Sequence, residues 1–201
     1  MAISTFTELK ASIANWLNRA DLTTEIVDFI KLAEGRFNRE LRCDDMDETA
    51  ALTITNGVAT VPTGLRSVRS ISLTASPYGK LKRQPPDWLD DADPTDTGAP
   101  GYYARVGATF VTWPKTSAAA SIRYRKELTP LSDADPSNWL LASHPDLYLA
   151  ASLALAYALL KDEGRTQFWE SAAAAMIDQI NRDDLMQASD GVQMQASGVV
   201  V

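Results

Sequence analysis

Of the side chains that commonly carry out catalysis, this sequence offers few, and none in a useful combination. One histidine, His144, leaves no pair of imidazoles for a metal site and a single candidate base for a serine or cysteine nucleophile. Its surroundings, Ser143-His144-Pro145-Asp146, read as the start of a helix instead, because proline suits a helix's first position. Cys43 stands alone, so it has no internal disulfide partner, and the adjacent Asp44 and Asp45 raise a thiol's pKa and blunt it as a nucleophile. Carboxylates gather at Asp44, Asp45, Asp47 and Glu48, at Asp87, Asp90, Asp91, Asp93 and Asp96, and at Asp133 and Asp135. None of these runs has the glycine and glutamate spacing of a calcium-binding loop, so they read as solvated loop and helix-cap acids. There is no glycine-rich dinucleotide fingerprint and no Walker phosphate loop. No catalytic, metal or cofactor residues are expected.

A second pattern points toward nucleic acid. Arg123-Tyr124-Arg125-Lys126, Lys80-Leu81-Lys82-Arg83, Arg66 and Arg69, with Tyr102, Tyr103, Phe110 and Trp113, supply the basic and aromatic side chains of a single-strand-binding β surface. Alternation weakens that reading: Ile122 and Tyr124 face one way and Arg123 and Arg125 the other, as in a half-buried strand. A single-stranded nucleic-acid-binding β module is therefore the alternative rather than the leading function.

The elements that would position these residues follow from periodicity. Thr5 and Glu8 have capping-box spacing, and Phe6, Leu9, Ile13, Trp16 and Leu17 recur at helical intervals, which predicts a helix near 5–18. Ile26, Phe29, Ile30, Ala33, Phe37 and Leu41 continue the period after a polar break, completing a helical hairpin. The period then alternates. Asn56-Gly57 predicts a two-residue hairpin that pairs Thr55 with Val58, Ile54 with Ala59 and Leu52 with Val61, and puts Leu52, Ile54, Ala59 and Val61 on one face. Further strands are expected at 67–74, 102–105, 108–113 and 120–126, with a turn at Ser76-Pro77-Tyr78-Gly79 and a loop over 84–100 holding a short helical turn at Pro86–Asp90. Helical period returns at Ser137–Leu141, from Pro145 to about Leu160, and from about Glu163, where Phe168, Trp169, Ala172, Met176, Ile177 and Ile180 form one stripe. Trp16, Phe37, Trp169 and Met176 are expected in the core. Beyond Asp184 the pattern dissolves into a polar stretch with an apolar tip.

The expected architecture is therefore α+β: a four-helix bundle of two N-terminal helices (1–44) and two C-terminal helices (131–183), an inserted small antiparallel β subdomain (45–130), and an extended C-terminal tail (184–201). At 201 residues, 45% hydrophobic and 22% charged, the chain is long enough to bury a good core. Its formal charge of −7 argues against a protein whose main task is to grip duplex DNA, since that affinity comes from neutralising phosphates. Nothing at the amino end reads as a signal peptide, and the apolar run Leu147–Leu160 is shorter than the roughly 20 residues of a membrane span, so cytoplasmic synthesis and no membrane are expected. That run is apolar all round and must be covered on every side, either as the central helix of its own bundle or with help from a neighbouring copy.

The order of motifs resembles a known family. Phe6-Thr7-Glu8-Leu9-Lys10, Ala14-Asn15-Trp16-Leu17-Asn18-Arg19, Asp21-Leu22 and the stretch from Phe29 to Arg42 are similar to the opening of tailed-bacteriophage head-to-tail adaptors, also called connector or neck proteins. Pro130-Leu131-Ser132-Asp133, Asn138-Trp139-Leu140-Leu141, Pro145-Asp146-Leu147-Tyr148-Leu149 and Trp169 resemble the carboxyl half; the match runs from about 5 to 182, with the β subdomain matched by type. The resemblance implies a structural, non-enzymatic virion protein at the neck. It would form a homo-oligomeric, dodecameric ring beneath the portal protein and contact tail or tail-completion (stopper or nozzle) proteins, with genome DNA passing through its channel without specific binding. It also implies a portal and ring interface, for which Trp139, Tyr148, Arg165, Trp169, Met186, Val192, Met194, Val199, Val200 and Val201 are the candidate residues, with the tail reaching the portal.

Overall fold

The computed structural model describes residues 3–92 and 96–190. The chain is α+β and divides into two compact units, one of Met1–Asp45 with Leu128–Val201 and one of Met46–Glu127.

The helical unit begins with α1 (Phe6–Leu17), where Thr5 and Glu8 form the expected reciprocal capping box and Phe6, Leu9 and Ile13 are buried. Helix α2 (Thr23–Glu40) buries Ile26, Phe29, Ile30, Ala33, Glu34 and Phe37. After the β unit come α4 (Trp139–Ser143), capped by the Asn138 side chain, then α5 (Pro145–Leu159) and α6 (Glu163–Asp190). Helix α5 is the hub: α1, α2, α4 and α6 all pack on it. Its buried positions, Leu147, Tyr148, Ala150, Ala151, Ser152, Leu153, Ala154, Ala156 and Tyr157, go right round the helix. Of the two ways to cover this apolar helix, the chain uses its own neighbours; its exposed positions are Asp146 in the first turn and Ala158 and Leu159 in the last.

Helix α6 runs past the expected boundary at 184. Asn181 accepts from the Arg42 N–H at 2.7 Å and donates to the Glu40 carbonyl at 3.0 Å, and Asp184 accepts from the Asp44 N–H at 2.7 Å. These bonds tie the helix to the chain leaving α2, and the following Leu-Met-Gln-Ala sequence has high helix propensity, so 184–190 is helix rather than extended tail. Residues 191–201 of the expected tail lie outside the described residues. Among the described residues no helix is long and apolar enough to cross a membrane.

The β unit holds eight strands and one short helix: β1 (Asp47–Ile54), β2 (Val58–Thr60), β3 (Leu65–Leu73), β4 (Ser76–Lys80), β5 (Lys82–Arg83), α3 (Pro86–Asp90), β6 (Tyr102–Val106), β7 (Thr109–Trp113) and β8 (Ala118–Lys126). One sheet has the order β1-β8-β3-β4 and the other β2-β7-β6-β5. Leu52, Ile54, Ile71, Leu73, Ile122 and Tyr124 of the first sheet share a core with Ala59, Tyr103 and Phe110 of the second.

Three expectations about this unit change. The Asn56-Gly57 turn forms, with φ of 48° and 79°, and Thr55 pairs with Val58, but no hairpin continues from it. Strand β1 pairs along its whole length with β8, and β2 pairs with β7. The strands part because the turn is held from the side: Gly57 N–H donates to the Thr116 carbonyl, and its carbonyl accepts from the Thr112 N–H at 2.7 Å. The expected face of Leu52, Ile54 and Ala59 is nevertheless buried, now contributed by two sheets. Secondly, Ser76–Lys80 is strand, not turn. Finally, β5 runs parallel to β6, so the unit is not purely antiparallel.

Candidate functional site

The largest aromatic feature outside the two cores lies on the helical unit. Trp16, near the end of α1, meets the edge of Trp169 on α6 with ring centroids 5.3 Å apart, and Trp169 meets Phe168 edge-on at 5.2 Å. Trp16 is 55% exposed and Phe168 63% exposed, while Trp169 is half-buried beneath them. Small and polar residues, Gly164, Gln167, Ser171 and Ala172, flank Phe168 along a shallow depression. The adjacent Arg165 guanidinium lies over the Tyr157 ring at 5.3 Å, and the Tyr157 hydroxyl donates to the Trp16 carbonyl at 3.4 Å. Three aromatic rings linked through Trp169 at the surface, inside a polar rim, have the composition of an interface centre.

Helical geometry explains why this patch was read from the sequence as core. On α6 the buried positions are Ala173 and Ile177, and Trp169 continues that line at i, i+4, i+8. Phe168, one residue earlier, is rotated by about 100° and falls off the stripe. The sequence did not decide this, since adjacent positions can share one broad buried face, as Phe29 and Ile30 do on α2. Trp16 likewise sits at the worn end of α1's buried line, so it is corrected from core to surface. Phe37 is fully buried as expected, and Met176 is half-buried.

The ten candidate interface residues scatter. Arg165 and Trp169 belong to the aromatic patch. Trp139 is half-buried at the start of α4, and Met186 is exposed on α6. Tyr148 is different: fully buried, it donates to Glu34 Oε1 at 3.1 Å and accepts from Asn138 Nδ2 at 2.8 Å. Glu34 Oε1 also accepts from the Leu131 N–H at 2.8 Å. Burial pushes the Glu34 carboxyl upward, and burial beside Glu34 pushes the Tyr148 phenol well above its ordinary range. Tyr148 is thus a support inside the helical unit, not part of its outer surface. Val192, Met194, Val199, Val200 and Val201 lie outside the described residues.

No catalytic grouping emerges from the residues first considered. Cys43 is buried, and His144 ends α4 and begins α5, its N–H donating to the Leu140 carbonyl at 2.7 Å. Among the described residues no group of three His, Cys, Asp or Glu side chains could hold a metal ion.

In the β unit the aromatic half of the single-strand pattern is largely inside. Tyr103, Phe110 and Tyr124 belong to the main core, and desolvation raises the phenols of Tyr103 and Tyr124. Trp113 packs with Leu89 and Ala104 in a smaller cluster, and Tyr102 lies half-buried with its ring 4.8 Å from Trp88. Arg123 projects from the opposite side of β8, away from Ile122 and Tyr124, so neither the Tyr124 ring nor the core aromatics lie beside it as a platform for bases.

Compared with known proteins, the chain has no match among curated proteins. The family model described as SU10 adaptor protein, however, matches residues 4–196, nearly the whole sequence. With that match over nearly its full length, the chain belongs to the SU10 adaptor family of structural bacteriophage assembly proteins.

Proposed function

We propose that this adaptor forms a ring, of twelve copies to follow the portal, beneath the portal protein, and that it joins the DNA-filled capsid to the tail. In this reading the helices of the two chain ends act as a four-helix bundle that builds the ring, the β unit is an insertion that faces tail-completion proteins, and the carboxyl-terminal residues reach the portal. The duplex passes through the channel without sequence-specific contacts. The protein is made in the host cytoplasm and ends in the virion neck.

The observation that carries the reading is the Trp16, Phe168 and Trp169 cluster. Helix α5 is largely covered within the chain, so the surplus apolar surface of the helical unit is this patch with Leu32 on α2, Leu159 at the end of α5 and Leu185 and Met186 on α6; of these only the patch is aromatic, and burying such aromatics against a neighbour is favourable. The test mixes the purified chain with rings of its cognate portal and images the products by electron microscopy. Wild-type chain is expected to add a collar. F168E combined with W16E should reduce collar occupancy by about tenfold or more, as losing one aromatic anchor typically does. Collars that form equally well with the double variant, or a wild-type chain that ignores portal rings, would overturn the reading.

A further inference from the structure

The sequence's net charge conceals an uneven distribution. The helical unit carries 9 basic and 18 acidic residues, a formal −9, whereas the β unit carries 10 basic and 8 acidic, a formal +2. Within the β unit, several of these charges neutralise one another. Arg69 pairs with Asp47 at 3.0 Å, Lys126 with Glu48 at 2.8 Å and Arg66 with Glu127 at 3.3 Å. Arg123 and Lys80 have no ion-pair or hydrogen-bond partner among the described residues.

Both cations stand on the outer face of the β1-β8-β3-β4 sheet, and the strand register shows what surrounds them. One cross-strand row is Thr49, Arg123 and Ser70; the next is Ala51, Ser121, Ser72 and Lys80. Beyond them Thr53 lies opposite Ala119, whose carbonyl accepts from the Thr74 N–H at 2.9 Å. The rows lie about 7 Å apart along the strands, and four strands span about 14 Å. Thr49, Ser70, Ser72, Thr74 and Ser121 line a shallow depression with Lys80 and Arg123. The nearest carboxylate, Asp47, is already engaged by Arg69.

We infer that this face is a contact surface for the phosphate backbone of duplex DNA, independent of base sequence. Hydroxyls, an arginine and a lysine are the side chains that bind phosphate oxygens. Small neighbours leave nothing to hold a wide polyanion away from the Arg123 guanidinium. A protein partner fits the composition less well, because serine, alanine and lysine are depleted at the centres of protein interfaces. Among the described side chains a single strand fits less well too, since stacking needs exposed rings and the core holds Tyr103, Phe110 and Tyr124. With two free cations the grip is weak and salt-sensitive, which suits a duplex in transit rather than one held.

The test needs no portal, so its failure is distinct from failure of the ring reading. Amide resonances of the whole ¹⁵N-labelled chain are followed while a 16-base-pair duplex is added. Shifts are expected at Thr49, Ser70, Ser72, Ser121 and Arg123, with affinity falling about tenfold between 50 and 200 mM salt, as two phosphate contacts require. The shifts should vanish in R123E/K80E and weaken in R123Q/K80Q, both with otherwise native spectra. Absence of shifts at 50 mM salt, or shifts that survive both double variants, would overturn the inference. So would tighter binding of a single-stranded oligonucleotide at these positions, or equal shifts from poly-glutamate at matched charge, which would assign the face to bases or to an acidic protein respectively.

Discussion

Glu34 brings a carboxyl into the interior of the helical unit, 4% exposed, and answers for it by accepting from both the Leu131 N–H and the Tyr148 hydroxyl. Desolvation is the dominant influence and raises its pKa above the ordinary 4.5, so the folded chain holds this proton more tightly than the unfolded chain does. Stability from the group is complete below that ordinary value and is lost as pH rises through the raised one. E34Q keeps an acceptor oxygen for both donors and removes the titration. Its stability relative to the native chain should therefore improve as pH rises above the ordinary carboxyl value of 4.5, as read by urea midpoints across a pH series. A difference that stays flat with pH would count against the burial argument. E34A should be less stable than E34Q throughout, by about 1–3 kcal/mol for each donor left without an acceptor. Sequence alone did not reveal Glu34: it sits on α2's apolar side between Ala33 and Gly35, but its partners come from 97 and 114 residues away. The place of His144 was legible, because Pro145 beside it marks the first position of α5.

At the scale of elements, signals that act within one turn were the legible ones. The capping box at Thr5 and Pro145 at the head of α5 appear where sequence puts them, and the helical turn expected at Ser137–Leu141 forms as α4. Strand pairing was not legible beyond the Asn56-Gly57 turn, because turn chemistry fixes the reversal whereas partners some 60 residues later, in β7 and β8, compete for the strand edges. The same turn yields a prediction. Gly57 has φ of +79°, and a Cβ there would come within 2.8 Å of the Lys115 Cα. G57A should destabilise the β unit by about 2 kcal/mol or more, since backbone strain and the close approach both oppose it. Urea unfolding followed by Trp88 and Trp113 fluorescence checks this; a loss no larger than that of an exposed helical alanine substitution would show that the turn is free to shift.

For the whole molecule, the apolar α5 was the ambiguous signal, because periodicity shows that a helix must be covered without showing by what. Its cover is α1, α2, α4 and α6, which leaves exposed the Trp16 and Phe168 rings that periodicity had assigned to the interior. The length of α6 also sharpens a test of the carboxyl-terminal residues. Cutting at 184 would remove the Asp184 contact with Asp44, whereas removal of 191–201 leaves every described contact of α6 in place. That shorter deletion should weaken portal attachment by about tenfold while the melting temperature stays unchanged, measured by sedimentation with portal rings and by calorimetry. Equal attachment with and without 191–201 would remove those residues from the portal interface.

The β unit is continuous in sequence, but the helical unit is stitched from both sides of it: the Phe6 N–H donates to the Pro136 carbonyl, and Asn181 grips the backbone at Glu40 and Arg42. On the ribosome, α1 and α2 therefore emerge first and remain without their hub while more than a hundred further residues are made. The strands can close as soon as Glu127 is clear of the exit tunnel, but the surface bearing Trp16 and Trp169 exists only after α6 has been synthesised. A nascent adaptor therefore lacks this aromatic surface, and under the proposed ring assembly the order of translation defers association to the finished polypeptide.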